Sequence, residues 1–331
     1  MNKIRKKWNQ IESKTTVVAL ILLLIFILIT IGPQFFRLNN ITNILIKASR
    51  NGGIIALGMT FVILAGEVDL SLGAIVALSG VVMGLVGRFN ALLGILSGLL
   101  VGVISGIING YIVTKMKISS WIASLAISFA LRGTVLVISD ESVKLEDSKL
   151  QFASKSIFES ANFRGIPIII IIFIIILLIC EYISKHTKFG MRLYAVGGNQ
   201  DAANKMGVNV GKTKRIAFLL SGLLASISGI LLASSIGSAS LSSGNNYETY
   251  AIAMNAIGGV QLSGGVGNFT GTFLGILIFF IINTIFTYIP GLSVHWQTVI
   301  MGLLVLLSVF IQSNYLHELI FRHENVKTIK G

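Results

Sequence analysis

Apolar residues run through this chain in long, nearly unbroken stretches, many of them about 17–25 residues, the length that carries an α-helix across a ~30 Å hydrocarbon core. The pattern predicts spans at 15–31, 51–65, 71–86, 91–113, 118–138, 166–183, 216–236, 249–260, 266–288 and 292–312. Ten crossings put both ends of the chain on one side of the membrane. Residues 36–50 mix Asn, Lys and Arg with apolar side chains, as an amphipathic helix at the outer surface does. The expected fold class is all-α and polytopic, about ten transmembrane helices in two related halves, some of them short or broken.

The breaks are readable. The runs 51–65 and 71–86 cover only about 22–24 Å each at 1.5 Å per residue, and the octet between them, GEVDLSLG at 66–73, carries the carboxylates Glu67 and Asp69. Short, glycine-interrupted spans are where unwound backbone and binding groups lie inside a membrane. The plainer alternative is that Asp69 caps the following helix and Glu67 sits at the inner surface. GGVQLSGG at 258–265 shares five of eight positions with that octet, which is the evidence for duplicated halves. The run 91–113 has glycines at 94, 98, 102, 106 and 110. Four-residue steps drift about 40° around a helix, so this ladder predicts a groove that a neighbouring helix enters closely. Gly267, Gly271 and Gly275 form a second, shorter ladder.

Charge then orients the spans. With 54% apolar and 12% charged residues the chain is a membrane protein, and its formal net charge of +13 is concentrated in the tails 1–14 and 313–331 and in the segment 184–215. That segment holds seven Lys/Arg against Asp201 alone, whereas 139–165 has five acids and four bases. By the positive-inside rule the tails and 184–215 are cytoplasmic and 139–165 is extracytoplasmic; the first helix is expected to remain uncleaved. Positive-inside topology accounts for the basic surplus without nucleic acid. Within 184–215, Asn199 or Asp201 is placed to cap a short helix ending at Lys205 or Met206. Gly207 closes it, and Gly197 and Gly198 allow a sharp turn before it. An ordered helix in a cytoplasmic loop points to a docking element.

Enzymatic chemistry finds little support. Cys180 is the only cysteine, and His186, His295, His317 and His323 show no metal-ligand spacing. GVNVGKT at 207–213 is one residue short of a phosphate-binding loop and leads into a membrane helix. Arg132, in the outer half of its helix, needs a partner, a wet cavity or a route to the outer surface near Asp140. Energy for any active transport must come from another chain or from an ion gradient.

Four stretches occur in order: NGGIIALGMTFVILAGEVDLSLGAIVAL at 51–78, WIASLAISFALRGTVLV at 121–137, TKFGMRLYAVGGNQDAANKMGVNV at 187–210 and NYETYAIAMNAIGGVQLSGGVGNFTGTFLGILI at 246–278. Through them the chain resembles the ribose/galactose-type permease family of bacterial ABC importers, from about residue 40 to residue 312. The resemblance implies a multi-pass cell-membrane subunit, 15–312, paired with a second copy or a paralogue. It implies a small sugar delivered by an extracytoplasmic sugar-binding protein, and ATP and Mg on partner ATP-binding subunits, with no cofactor in this chain. It also implies that Gly190, Gly197, Asn199, Ala202, Ala203 and Gly207 belong to the ATPase-docking loop. Gly198 and Asp201 join them through the turn and cap, and Arg192 and Lys205 as cations able to meet acidic rims on a partner.

A sugar path has to be wettable, because each hydroxyl leaving water needs a replacement hydrogen bond. Glu67, Asp69, Ser71, Asn109, Asn255, Gln261, Ser263 and Gln297 are its candidate lining. An autoinducer-sugar importer of the same family differs only in ligand. A stand-alone ion-coupled carrier is the alternative from another class.

Overall fold

The computed structural model describes residues 20–25, 27–145, 162–163 and 166–288, together with 296, 299, 302, 303, 306 and 310. Gln297, the tails 1–14 and 313–331, and most of the span expected at 292–312 lie outside them.

The fold is all-α. α1 (Leu20–Thr30) leads through a 3-10 turn (Pro33–Phe36) to α2 (Leu38–Arg50), α3 (Gly53–Leu64), α4 (Leu72–Gly87), α5 (Ala91–Lys115) and α6 (Ser120–Ile138). Then come α7 (Ile168–His186), α8 (Lys188–Gly198), α9 (Gln200–Lys205), α10 (Val210–Ile236), α11 (Tyr247–Ile257) and α12 (Phe269–Ile285). Two small antiparallel pairings complete the described residues: β1 (Val143–Lys144) with β4 (Ser238–Ala239), and β2 (Asn162–Phe163) with β3 (Ile166–Pro167). The first ties the loop after α6 to the end of α10.

Five helices among the described residues are long and apolar enough to cross a membrane: α5, α6, α7, α10 and the stretch Phe269–Tyr288. They fall into two groups. The most apolar windows of α5, α6 and α7 are 28%, 22% and 28% buried, against 72% for α10 and 61% for Phe269–Tyr288. The first three therefore turn most of their surface outward. The chain is an all-α, multi-pass membrane protein.

At the centre stands α3. Every one of its residues is buried, which is how a helix apolar on all sides must be placed. It packs on α10 and α11, while α4, nearly as enclosed, lies against α5, α6 and α10. The short helices α3 and α4 share the core with the long α10, and α5, α6 and α7 lie around them, because a short helix cannot leave its unpaired ends facing lipid.

The glycine ladder of α5 is the packing device it promised to be, with one refinement. A Cβ at Gly94 or Gly98 would meet α4, 2.8 Å from the Met83 carbonyl oxygen and 3.0 Å from that of Ser79. At Gly102 and Gly106 it would meet α10 instead, 2.2 Å from the Gly222 oxygen and 2.5 Å from the Phe218 oxygen. The drift of the ladder thus lets one helix seat two neighbours in succession. The second ladder works the same way, with a Cβ at Gly275 falling 2.0 Å from the Met254 oxygen of α11.

Three boundaries differ from expectation. α10 begins at Val210, not 216, because the Asn209 side chain accepts from Lys212 N at 2.8 Å and caps it. GVNVGKT is therefore a capped helix start. Gly197 and Gly198 are the last turn of α8; the chain turns at extended Asn199. α2 buries Ile44, Ala48 and Ser49 and packs on α7 and α12 as well as presenting a polar face.

Gly102→Leu is expected to abolish the α5–α10 approach, since the nearest obstruction is the Gly222 carbonyl oxygen, with Ser226 Cβ and Oγ beside it; overpacking of this kind costs at least ~1–3 kcal/mol. The check is the yield of monodisperse, detergent-solubilised protein, which should collapse relative to wild type.

Candidate functional site

The two octets meet. After α3 the chain unwinds at Gly66 (φ 78°), and after α11 it turns through Gly259 (φ 80°), Gly264 (φ 92°) and Gly265 (φ 73°). Gly265 N donates to the Leu64 carbonyl oxygen at 3.1 Å, and a Cβ on Gly264 would lie 2.7 Å from Gly66 Cα. Positive φ and backbone-to-backbone contact both require glycine here.

The polar segment reaches the same point. A Cβ on Gly197 of α8 would sit 1.9 Å from the Leu64 oxygen and 2.5 Å from Gly265 N. Tyr194 OH, one turn earlier, donates to the Gly267 carbonyl oxygen at 3.0 Å, and Phe189 stacks near Phe61 of α3 with ring centroids 6.2 Å apart. α8 is thereby fixed to both breaks. It is also folded back on α7, with Gly190 so close that a Cβ would fall 2.0 Å from the Ser184 oxygen, and with Thr187 Oγ1 capping Gly190 N at 3.2 Å.

α9 extends from this junction as the sequence predicted in outline. Asn199 Oδ1 accepts from Ala202 N at 2.9 Å, and Gly207 closes the helix with φ 80°. Burial divides the expected docking residues. Gly190 and Ala203 are buried and Gly197 is wedged into the junction, whereas Arg192, Gly198, Asn199, Asp201, Ala202, Lys205 and Gly207 are exposed. The small face at 202–203 is thus half internal: Ala203 is 0% exposed and anchors the helix, so only Ala202 is available outside. Two residues that sequence reasoning passed over belong to the same segment, Met206 directly after α9 and Met191 on α8. Met191 and Met206 are 65% and 68% exposed, although neither belongs to a span. An exposed Met next to a capped polar helix was the signal, since Met suits adaptable contact surfaces.

Beneath α9 lies a polar cleft of about 500 Å³, bordered by Glu67, Lys117, Ser119, Gln200, Asn204 and Lys214. Glu67 forms an ion pair there with Lys214 of α10, both largely enclosed. The charged octet residue therefore connects the first break to the helix that follows α9.

From Glu67 the chain passes along α6, where Val68 N donates to Ser120 Oγ at 3.3 Å and Leu70 N to Ser124 Oγ at 2.9 Å. Asp69 and Ser71 are fully buried: Asp69 Oδ1 accepts from Ser71 N at 3.0 Å and Ser71 Oγ at 2.6 Å, and Asn109 Nδ2 of α5 donates to Ser71 Oγ at 2.8 Å. α4 then starts where Glu248 of α11 and Arg132 of α6 converge. A Cβ on Gly73 would sit 2.2 Å from Glu248 Oε2 and 3.3 Å from Arg132 Nη2. Arg132 also donates to the Gly244 carbonyl oxygen at 3.2 Å, so it finds its partners inward. Glu248 was missed from sequence; an acid in the first turn of a short apolar helix was its only mark. A carboxylate at the start of α4 complements the helix dipole.

Asn255 has a different setting. Its Nδ2 donates to the Ala56 and Ala251 oxygens, both at 2.9 Å, and its Oδ1 accepts from Thr60 at 2.7 Å and Thr272 at 3.1 Å. All of its bonding capacity joins α3, α11 and α12. Gln261 is half-buried and Ser263 exposed at the second break.

Residues 40–309 match the family described as branched-chain amino acid transport system, permease component. The ribose import permease protein RbsC of Escherichia coli K12 is 36% identical over 310 residues, 93% of this chain and 95% of that protein. Its namesake in Bacillus subtilis is 38% identical over 291 residues, 87% and 89% of the two chains. The xylose transport system permease protein XylH of Haemophilus influenzae is 30% identical, covering 90% and 95%. No solved structure matches.

The junction makes a paired prediction. Gly197→Ala forces a methyl group into backbone atoms and should lower the unfolding temperature markedly in detergent, while Gly198→Ala, with nothing within 4 Å of its Cβ, should leave it at the wild-type value.

Proposed function

This chain belongs to the family of transport-system permease components, and from that premise we propose that it is the membrane subunit of an ATP-driven importer of a monosaccharide. The relatives are named for ribose and for xylose, which supports a small sugar as cargo. The observation that carries the reading is the attachment of α8 and α9, in the basic segment, to both helix breaks through Gly197. An ATP-binding partner has no access to the sugar route, so its movement must enter through a rigid protruding element.

In this reading the segment containing α8 and α9 and both chain termini are cytoplasmic, following their Lys/Arg excess. The full complement is ten spans, with α3–break–α4 and α11–break–α12 as counterparts in two halves. A second permease chain, a pair of ATP-binding subunits holding ATP and Mg, and an extracytoplasmic sugar-binding protein complete the transporter. The contact face for the ATP-binding subunit is Met191, Arg192, Asp201, Ala202, Lys205 and Met206, which combines apolar and charged side chains.

The sugar route passes the two breaks. Glu67, Gln261 and Ser263 stand at its cytoplasmic end, while Asp69, Ser71, Asn109 and Asn255 are enclosed in this conformation and would meet sugar only when helices separate. A route closed in this way binds sugar weakly and leaves recognition to the binding protein.

Ala202→Arg tests the reading. The side chain is exposed, so insertion and folding should persist, while co-purification of the ATP-binding subunit and sugar uptake are lost. Ala203→Arg should instead lose folded protein, because it puts a charge in a closed space. Normal uptake by the Ala202→Arg variant with its ATP-binding subunit bound would overturn the docking assignment.

A further inference from the structure

The polar cleft beneath α9 takes its walls from three directions. α9 supplies Gln200, Asp201 and Asn204, the end of α5 and the turn into α6 supply Thr114, Lys117 and Ser119, and the largely enclosed Glu67–Lys214 ion pair supplies the third side. At about 500 Å³ it lies within the ~300–1,000 Å³ of small-molecule sites. Its border is also strained. Among the described residues, Lys117 and Asn246 are the non-glycine positions with positive φ, and Lys117, at 58°, lines the cleft. Backbone of that kind gathers at ligand-binding sites.

Charge identifies the kind of occupant. The two carboxylates, Glu67 and Asp201, balance the two amines, Lys117 and Lys214, so an anion and a cation would each meet two like charges. The ligand that fits is neutral. The rest of the polar lining, two amides and two hydroxyls, can both donate and accept, as the hydroxyls of a polyol do. Val113 and Ile118 add a small apolar wall for a face of C–H bonds. A neutral molecule with a ring of hydroxyls and an apolar face is a monosaccharide.

We propose that this cleft is a cytoplasmic site for the sugar that the chain imports, and that sugar bound there restrains α9; the inference rests on the importer reading for its ligand and its orientation. α9 packs on α8 and α10, and the cleft separates it from the turn between α5 and α6. A sugar seated between Asn204 and Ser119 ties the two together. The docking helix then cannot follow its ATP-binding partner freely, so sugar accumulated in the cell slows its own uptake. A site for this task is weak, filling only as sugar accumulates.

Two arms test it. In the first, saturation-transfer difference NMR follows D-ribose and D-xylose on the purified full chain in detergent, without partners, with glycerol and ribose 5-phosphate for comparison. One of the two sugars should give a saturable signal at millimolar concentration, and glycerol none. Asn204→Leu and Ser119→Phe, at exposed positions outside the contact face, should keep the wild-type unfolding temperature. They should raise half-saturation roughly tenfold, the first by removing an amide and the second by filling the space. No saturable signal would mean that the cleft holds only water, a signal that both variants leave unchanged would put the sugar elsewhere, and tighter binding of ribose 5-phosphate would mark an anion site. Each of these overturns the proposal. In the second arm, the transporter is reconstituted in vesicles with its ATP-binding subunits and binding protein. Sugar preloaded on the ATP-binding side should slow uptake several-fold, and Asn204→Leu should remove the slowing. ATP-driven uptake that preloaded sugar does not slow overturns the regulatory site and leaves the importer reading standing. Sugar bound in the cleft with no uptake of either sugar overturns the importer reading instead, and the cleft remains a sugar site.

Discussion

A peptide group that leaves a helix inside a closely packed core has no water to bond with, and this constraint governs the centre of the molecule. α3 ends after 12 residues, deep among its neighbours, and the chain beyond it must be satisfied by protein alone. It is. The Leu64 carbonyl receives Gly265 N, Val68 and Leu70 donate to two serines of α6, and Ser71 N returns to Asp69. These bonds dictate which elements surround the break: α6 must supply hydroxyls one turn apart, and the second break must arrive backbone first.

Arrival backbone first explains the glycine content. A helix pair in lipid gains little from apolar burial, because lipid is as apolar as the side chains, so contact must come from close packing. α5 against α4 and α10, α11 against α12, and Gly197 against Leu64 are all separations at which a methyl group would strike backbone atoms. The same device serves packing in the spans and attachment at the junction. An element joined by backbone contact transmits displacement with little loss, since side-chain rotation cannot absorb it.

Much of this was legible in the chain. The long apolar helices α5, α6, α7 and α10 followed from run length, the short α3 and α4 from their short runs, the α5 groove from its four-residue glycine spacing, and α9 from Asn199 and Gly207. Local rules state such features directly. What the sequence left open depends on which residues lie across a contact. Nothing around Ala203 announces that it points inward and Ala202 outward, since both are small. Gly197 read as a turn residue because a glycine needed for close approach and one needed for flexibility look alike until the neighbouring backbone is in place. Glu248 meets the start of α4 at Gly73, more than 100 residues away along the chain, a relation no local pattern carries.

The central claim is that the element formed by α8 and α9 moves as one body with the second break. Spin labels at Asn204→Cys and Ser263→Cys, both exposed positions outside the proposed partner face, measure it directly by pulsed electron resonance. The buried Cys180 stays unlabelled. In the assembled transporter the account predicts one narrow distance distribution, the same with and without ATP. A distribution that broadens or shifts when nucleotide binds would mean that the element slides on the break, and the junction would not be the point through which motion enters.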